Sequence, residues 1–128
     1  MNLLEKWLYW KEHLIDCFEN KERFELGFLR ETVEVEPDGY GGIDKEFYFA
    51  NGMFYSCLFH WDGGNFTANR SYEHTHLNKE AFFQILDEKK ENILQTLSED
   101  DKIKFESVFN DVRVLLLKQF KSDLHRSV

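Results

Sequence analysis

Hydrophobic and polar positions change their period along this chain, and each change predicts an element. Over residues 3–18, Leu4, Trp7, Leu8, Leu14, Ile15 and Phe18 recur at helical spacing, with Glu5, Lys6, Lys11, Glu12 and Asp16 between them. The stripe is wide enough to pack on a sheet. Asn20 and the polar run to Arg23 end the helix. Residues 24–36 then alternate: Leu26 and Phe28 in one half, Val33 and Val35 in the other, out of phase around Leu29 and Arg30. A phase change inside an extended run predicts a bulge or bend.

A glycine loop follows at 38–42. Strands are expected over 43–49 and 53–61, joined by Asn51-Gly52, because a type I′ turn needs positive φ at both central residues. Asp62-Gly63-Gly64 predicts a second turn into a polar strand over 65–76, with Phe66, Ala68 and Tyr72 on one face. The end reads as helical. Asn78 can cap a helix carrying Phe82, Leu86, Ile93, Leu94 and Leu97. Ser98 with Asp101 marks a fresh start. Phe105, Phe109, Val112, Leu116 and Phe120 form the spine of a last helix. This order predicts one α+β domain over residues 1–128: a four-stranded antiparallel meander sheet, with one N-terminal helix and two C-terminal helices packed on it.

Composition narrows what such a domain does. The chain has 128 residues, with 13 Phe, 5 Tyr and 3 Trp, ample for a core and unlike a disordered segment. Sixteen Lys+Arg stand against 24 Asp+Glu, a formal net charge of −8. Nucleic acid and anionic membranes both require a cationic face, so neither is an expected partner. A basic protein is compatible. The acidity concentrates in residues 1–36, with nine acidic and five basic side chains. No leader pattern and no apolar run of membrane-spanning length is present, so a cytoplasmic protein with two free thiols, Cys17 and Cys57, is expected.

The residues that could do chemistry do not assemble by spacing. His74 and His76 share one side of a strand. If the turn falls at Gly63-Gly64, however, His60 faces Thr67 and lies about 23 Å from His74. No metal or cofactor is therefore expected. Cys57 and His60 are three apart on a strand and should project to opposite faces, which denies them a shared proton. The loop Asp38-Gly39-Tyr40-Gly41-Gly42 lacks the Lys and Ser/Thr of a phosphate loop and precedes a strand. The carboxylates Asp87 and Glu88, like Glu99, Asp100 and Asp101, read as solvated helix faces.

No catalytic residue emerges, and the expectation is a non-enzyme that binds another protein. An acidic inhibitor of a basic, possibly nuclease, toxin fits the profile: an immunity protein or antitoxin steered to its target by charge. Tyr40 on its loop and Trp61 at the hairpin corner are the expected anchors, with Glu99, Asp100 and Asp101 supplying the field. Two alternatives stand beside this. One is a small-ligand domain or minor enzyme with a pocket between sheet and helices lined by Tyr48, Tyr55, Trp61 and Tyr72. The other is a phage or host regulatory adaptor. The strand over 53–61 is apolar on both faces, so helices are expected to cover both, unless part of one face is left open for a partner.

Overall fold

A computed structural model describes residues 2–64 and 69–126, apart from the side chains of 121–126. The described residues form α1 (Leu3–Asn20), β1 (Arg23–Glu25), a 3-10 turn (Gly27–Leu29), β2 (Glu31–Val35), β3 (Gly41–Ala50), β4 (Met53–Asp62), β5 (Arg70–Leu77), α2 (Lys79–Leu94) and α3 (Glu99–Arg126). The architecture is α+β, as the pattern predicts. All strand pairings are antiparallel.

The expected first strand is broken in two. β1 and β2 both pair with β3, at Tyr48–Ala50 and at Gly42–Lys45. The phase change at Leu29-Arg30 is the 3-10 turn between them, which buries Phe28 and Leu29 toward the helices. A second irregularity, between Thr32 and Glu34, leaves Val33 out of the ladder. Val33 and Val35, the apolar positions of that alternation, are both exposed. At the hairpin tip, Gly42 lies under the Trp61 indole: a Cβ there would meet ring carbon Cζ2 at 2.7 Å and the Glu34 carbonyl.

The Asn51-Gly52 turn joins β3 to β4, and both residues have positive φ, 53° and 81°. The next hairpin differs from expectation. Its strand starts at Arg70 rather than at residue 65, and His60 pairs with Arg70 instead of Thr67. Phe66, Thr67 and Ala68 lie outside the described residues. The observed pairing lies three residues from the expected one. Farther along β5, Glu73 adopts a left-handed φ of 58°. It makes the bulge between Ser56 and Leu58, where Glu73 and His74 together oppose Cys57.

Every described helix packs on one face of this sheet. The core joins Trp7, Leu14 and Cys17 of α1, Phe82 and Leu86 of α2, and Phe105, Phe109, Val112 and Leu116 of α3 to Phe24, Phe47, Phe49, Phe54 and Leu77 from the strands. On α1 the buried side chains are Trp7, Leu14 and Cys17, while Leu8 and Ile15 of the predicted stripe are exposed. The helix starts follow their caps. The Asn78 side chain accepts from the Ala81 N–H at 2.8 Å, and Ser98 Oγ accepts from the Asp101 N–H at 3.3 Å. No described helix is long and apolar enough to cross a membrane.

Candidate functional site: the helix-free face of the sheet

Side chains alternate across a strand, so placing Phe47, Phe49 and Phe54 under the helices sends their neighbours the other way. Cross-strand partners share a face, which gives the second face as a grid. Val35, Gly42 and Trp61 form one row, and Thr32, Asp44, Phe59 and Ser71 the next. Then come Glu46, Cys57 and the bulged His74. Glu25, Tyr48, Tyr55 and His76 form a further row, and Arg23, Ala50 and Met53 the last. Helices were expected on both faces. The structure leaves this one without a described helix, because the three helices pack on each other and on the Phe-rich side. Tyr48, Ala50, Cys57 and Tyr55 form a small cluster of their own here, separate from the main core.

The face is covered by its own long side chains. The Arg23 guanidinium lies 4.3 Å from the Tyr48 ring centre, and Tyr48 stacks on Tyr55 with centroids 5.1 Å apart. The Tyr48 hydroxyl is 2.8 Å from His74 Nδ1, and the His76 ring meets Tyr55 edge-on. At the other end, the Trp61 indole N–H donates to Asp44 Oδ1 at 3.1 Å. Arg30 donates to the second Asp44 oxygen, from Nε at 2.9 Å and from Nη2 at 2.8 Å. Asp44 therefore ties β4 to the residue that follows the 3-10 turn.

Glu46 is treated differently. It is 9% exposed, yet its nearest cationic nitrogen is Arg30 Nη1 at 3.8 Å, beyond hydrogen-bond distance. Burial pushes its carboxyl above the usual carboxylate range, the charges of Glu25 and Asp44 push the same way, and Arg30 opposes them. Burial likewise raises the Cys57 thiol, reinforced by Glu46 and Glu25 against Arg23, which leaves it protonated and unreactive at neutral pH. His60 faces the opposite side, packed against Tyr72 at 4.2 Å, so the two share no proton. From its partner Arg70, His60 is four residues, about 13 Å, from His74. Among the described residues no group of three metal-ligating side chains occurs.

The expected site residues separate into two groups. Tyr40 is 68% exposed at the β2–β3 tip, in a turn where its N–H donates to Asp38 Oδ1. Trp61 lies at the same end of the sheet, since Gly63 donates to the Tyr40 carbonyl and Gly42 pairs with Trp61. Glu99, Asp100 and Asp101 sit instead in the first turn of α3, in the helix layer. The residues expected to line a pocket between sheet and helices divide between the faces: Tyr48, Tyr55 and Trp61 belong to the helix-free face, away from Tyr72, and a cavity between β3 and α2, beside Phe47 and Ile85, holds about 130 Å³. A cavity of about 310 Å³ does open at the sheet end, lined by Glu34, Glu36, Gly42, Ile43, His60, Trp61 and Asp62. Sequence reading missed Asp44, Glu46 and Arg30. The signal was present in β3, where two acids alternate toward the side opposite Phe47 and Phe49. No known protein family, no curated protein and no solved structure matches the chain.

Proposed function

We propose that this protein acts by binding another protein through the helix-free face, as an inhibitor of the immunity-protein or antitoxin kind directed at a basic partner in a bacterial cytoplasm. One observation carries the reading: a broad sheet face, without a described helix, on which Trp61, Phe59, Tyr55 and Tyr48 surround a group of carboxylates. The ten-residue strands β3 and β4, in a sheet four strands wide, give a footprint of about 30 Å by 15 Å, roughly half of what each side of a standard protein interface buries. Large aromatics with few internal degrees of freedom are the usual anchors of such interfaces. The chain's net charge of −8 favours a basic partner and steers its approach. A host or phage adaptor would use the same physics.

Affinity capture from a native lysate tests this, with the wild type compared against Tyr55→Ala and Phe59→Ala. The expected result is a basic protein retained by the wild type and lost by both variants, each substitution costing about 2 kcal/mol or more. A captured partner that is acidic, or indifferent to both changes, refutes the reading. The cavity beside Trp61 supports a second reading, a small cationic ligand, because about 300 Å³ is the lower limit of ligand-site volumes. Ligand-induced stabilisation lost in Trp61→Ala would favour it.

A further inference from the structure

We infer that Glu46, with Glu25 beside it, is the docking point for an arginine or lysine side chain of the partner, entering the helix-free face between Tyr55 and Phe59. This rests on the binding reading above and deepens it. The charges on the face do not balance locally. Asp44 takes both hydrogen bonds of Arg30, and Arg23 stacks on Tyr48. That leaves Glu46, 9% exposed, with no hydrogen bond to a described residue and only a loose ion pair to Arg30 Nη1 at 3.8 Å, a guanidinium already bonded to Asp44. Among the described residues no side-chain oxygen is sealed from solvent without a hydrogen bond, so the unbonded carboxylate opens onto the face. Glu25, exposed on β1, adds a second negative charge in the neighbouring row.

A buried carboxylate without a hydrogen-bonded cation is unfavourable, and a partner's guanidinium or ammonium within hydrogen-bond distance lowers the cost. The neighbouring rings suit the newcomer. Tyr55 flanks the position in the row on one side and Phe59 in the row on the other, and the faces of such rings attract cations. Intramolecular cations already use two rings of this face, Arg23 over Tyr48 and Arg30 over Phe59 at 6.0 Å. A second copy of this chain is the less suitable occupant. Two-fold packing of the face on itself brings two copies of the acidic group Glu25, Asp44 and Glu46 into one interface.

The probe is N-acetyl-arginine methylamide, titrated at low ionic strength into protein labelled with carbon-13 at its side-chain carboxyls. The expected result is saturable shifts at Glu46 and Glu25, with affinity at least about fivefold weaker in Glu46→Gln, the upper end of what a solvent-accessible ion pair contributes. Glu25→Gln, at an exposed position, should weaken binding without any risk to folding. Shifts spread evenly over all carboxylates, shifts centred on Glu99–Asp101, or a Glu46→Gln variant that binds as the wild type does would each overturn the inference. The captured partner separates the two levels: binding that survives Glu46→Gln but is lost in Tyr55→Ala keeps the binding face and removes the Glu46 role. Sedimentation at twice the 15.4 kDa chain mass, abolished by Tyr55→Ala, would make a second copy the occupant and overturn both.

Discussion

Glu46 and Asp44 sit two residues apart on β3 and face the same side, and their surroundings give them different work. Asp44 is satisfied by Trp61 and Arg30 and acts as a brace. Glu46 is buried among like charges with its carboxyl pKa raised, burial being the main cause. A carboxyl whose folded pKa exceeds its unfolded value holds its proton more tightly in the native state. Its favourable contribution is therefore complete at pH below the ordinary carboxylate range, and it disappears as pH rises through the raised value. Glutamine does not titrate, so Glu46→Gln should melt higher than the wild type at pH 7. The difference should shrink as the solution is acidified below the ordinary carboxylate range. Thermal melts across that range check it, and a variant that melts lower at pH 7 would mean that the Arg30 contact outweighs the burial cost.

At the scale of elements, α3 holds the molecule together. Its spine meets α1 through Trp7, which contacts both Phe105 and Phe109, with centroids at 5.4 and 5.7 Å. It meets the sheet through Phe120, which stacks on Phe54 at 4.9 Å. Phe109 is fully buried mid-spine, so Phe109→Ala should cost about 3–5 kcal/mol. Denaturant unfolding measures this directly, and an unchanged midpoint would mean that this face of α3 is not packed. The stripe of α3 was readable from the chain because five apolar residues repeat at helical spacing. The stripe of α1 was only half readable. Leu8 and Ile15 fit the period, but α1 turns Trp7, Leu14 and Cys17 toward the 3-10 turn and α3, an orientation set by its neighbours.

For the whole molecule, charge and shape divide the labour of binding. The net charge of −8 acts at long range, and salt screens it over about 8 Å at physiological ionic strength. Association with a basic partner should therefore slow as salt rises. Glu99→Lys with Asp100→Lys, on α3 and away from the helix-free face, should lower the on-rate and leave the off-rate nearly unchanged. Tyr55→Ala should do the reverse. Stopped-flow association at several salt concentrations separates the two, and an on-rate unaffected by 0.5 M salt would leave the acidity a matter of solubility alone.

The sequence by itself determined the elements, their order and most of their ends. Caps such as Asn78, the Asn51-Gly52 turn and the period of the α3 spine are local properties, settled within a few residues of chain. The phase break at Leu29-Arg30 was equally local. Tertiary structure decided what depends on distant partners. Which face of β4 meets the helices could not be read from a strand apolar on both sides, because three helices, one from the start of the chain and two that follow the sheet, make that choice together. The β4–β5 register includes a bulge at Glu73 that no residue pattern announces. The inequality between Asp44 and Glu46 arose only when the 3-10 turn placed Arg30 against one carboxylate and out of hydrogen-bond reach of the other.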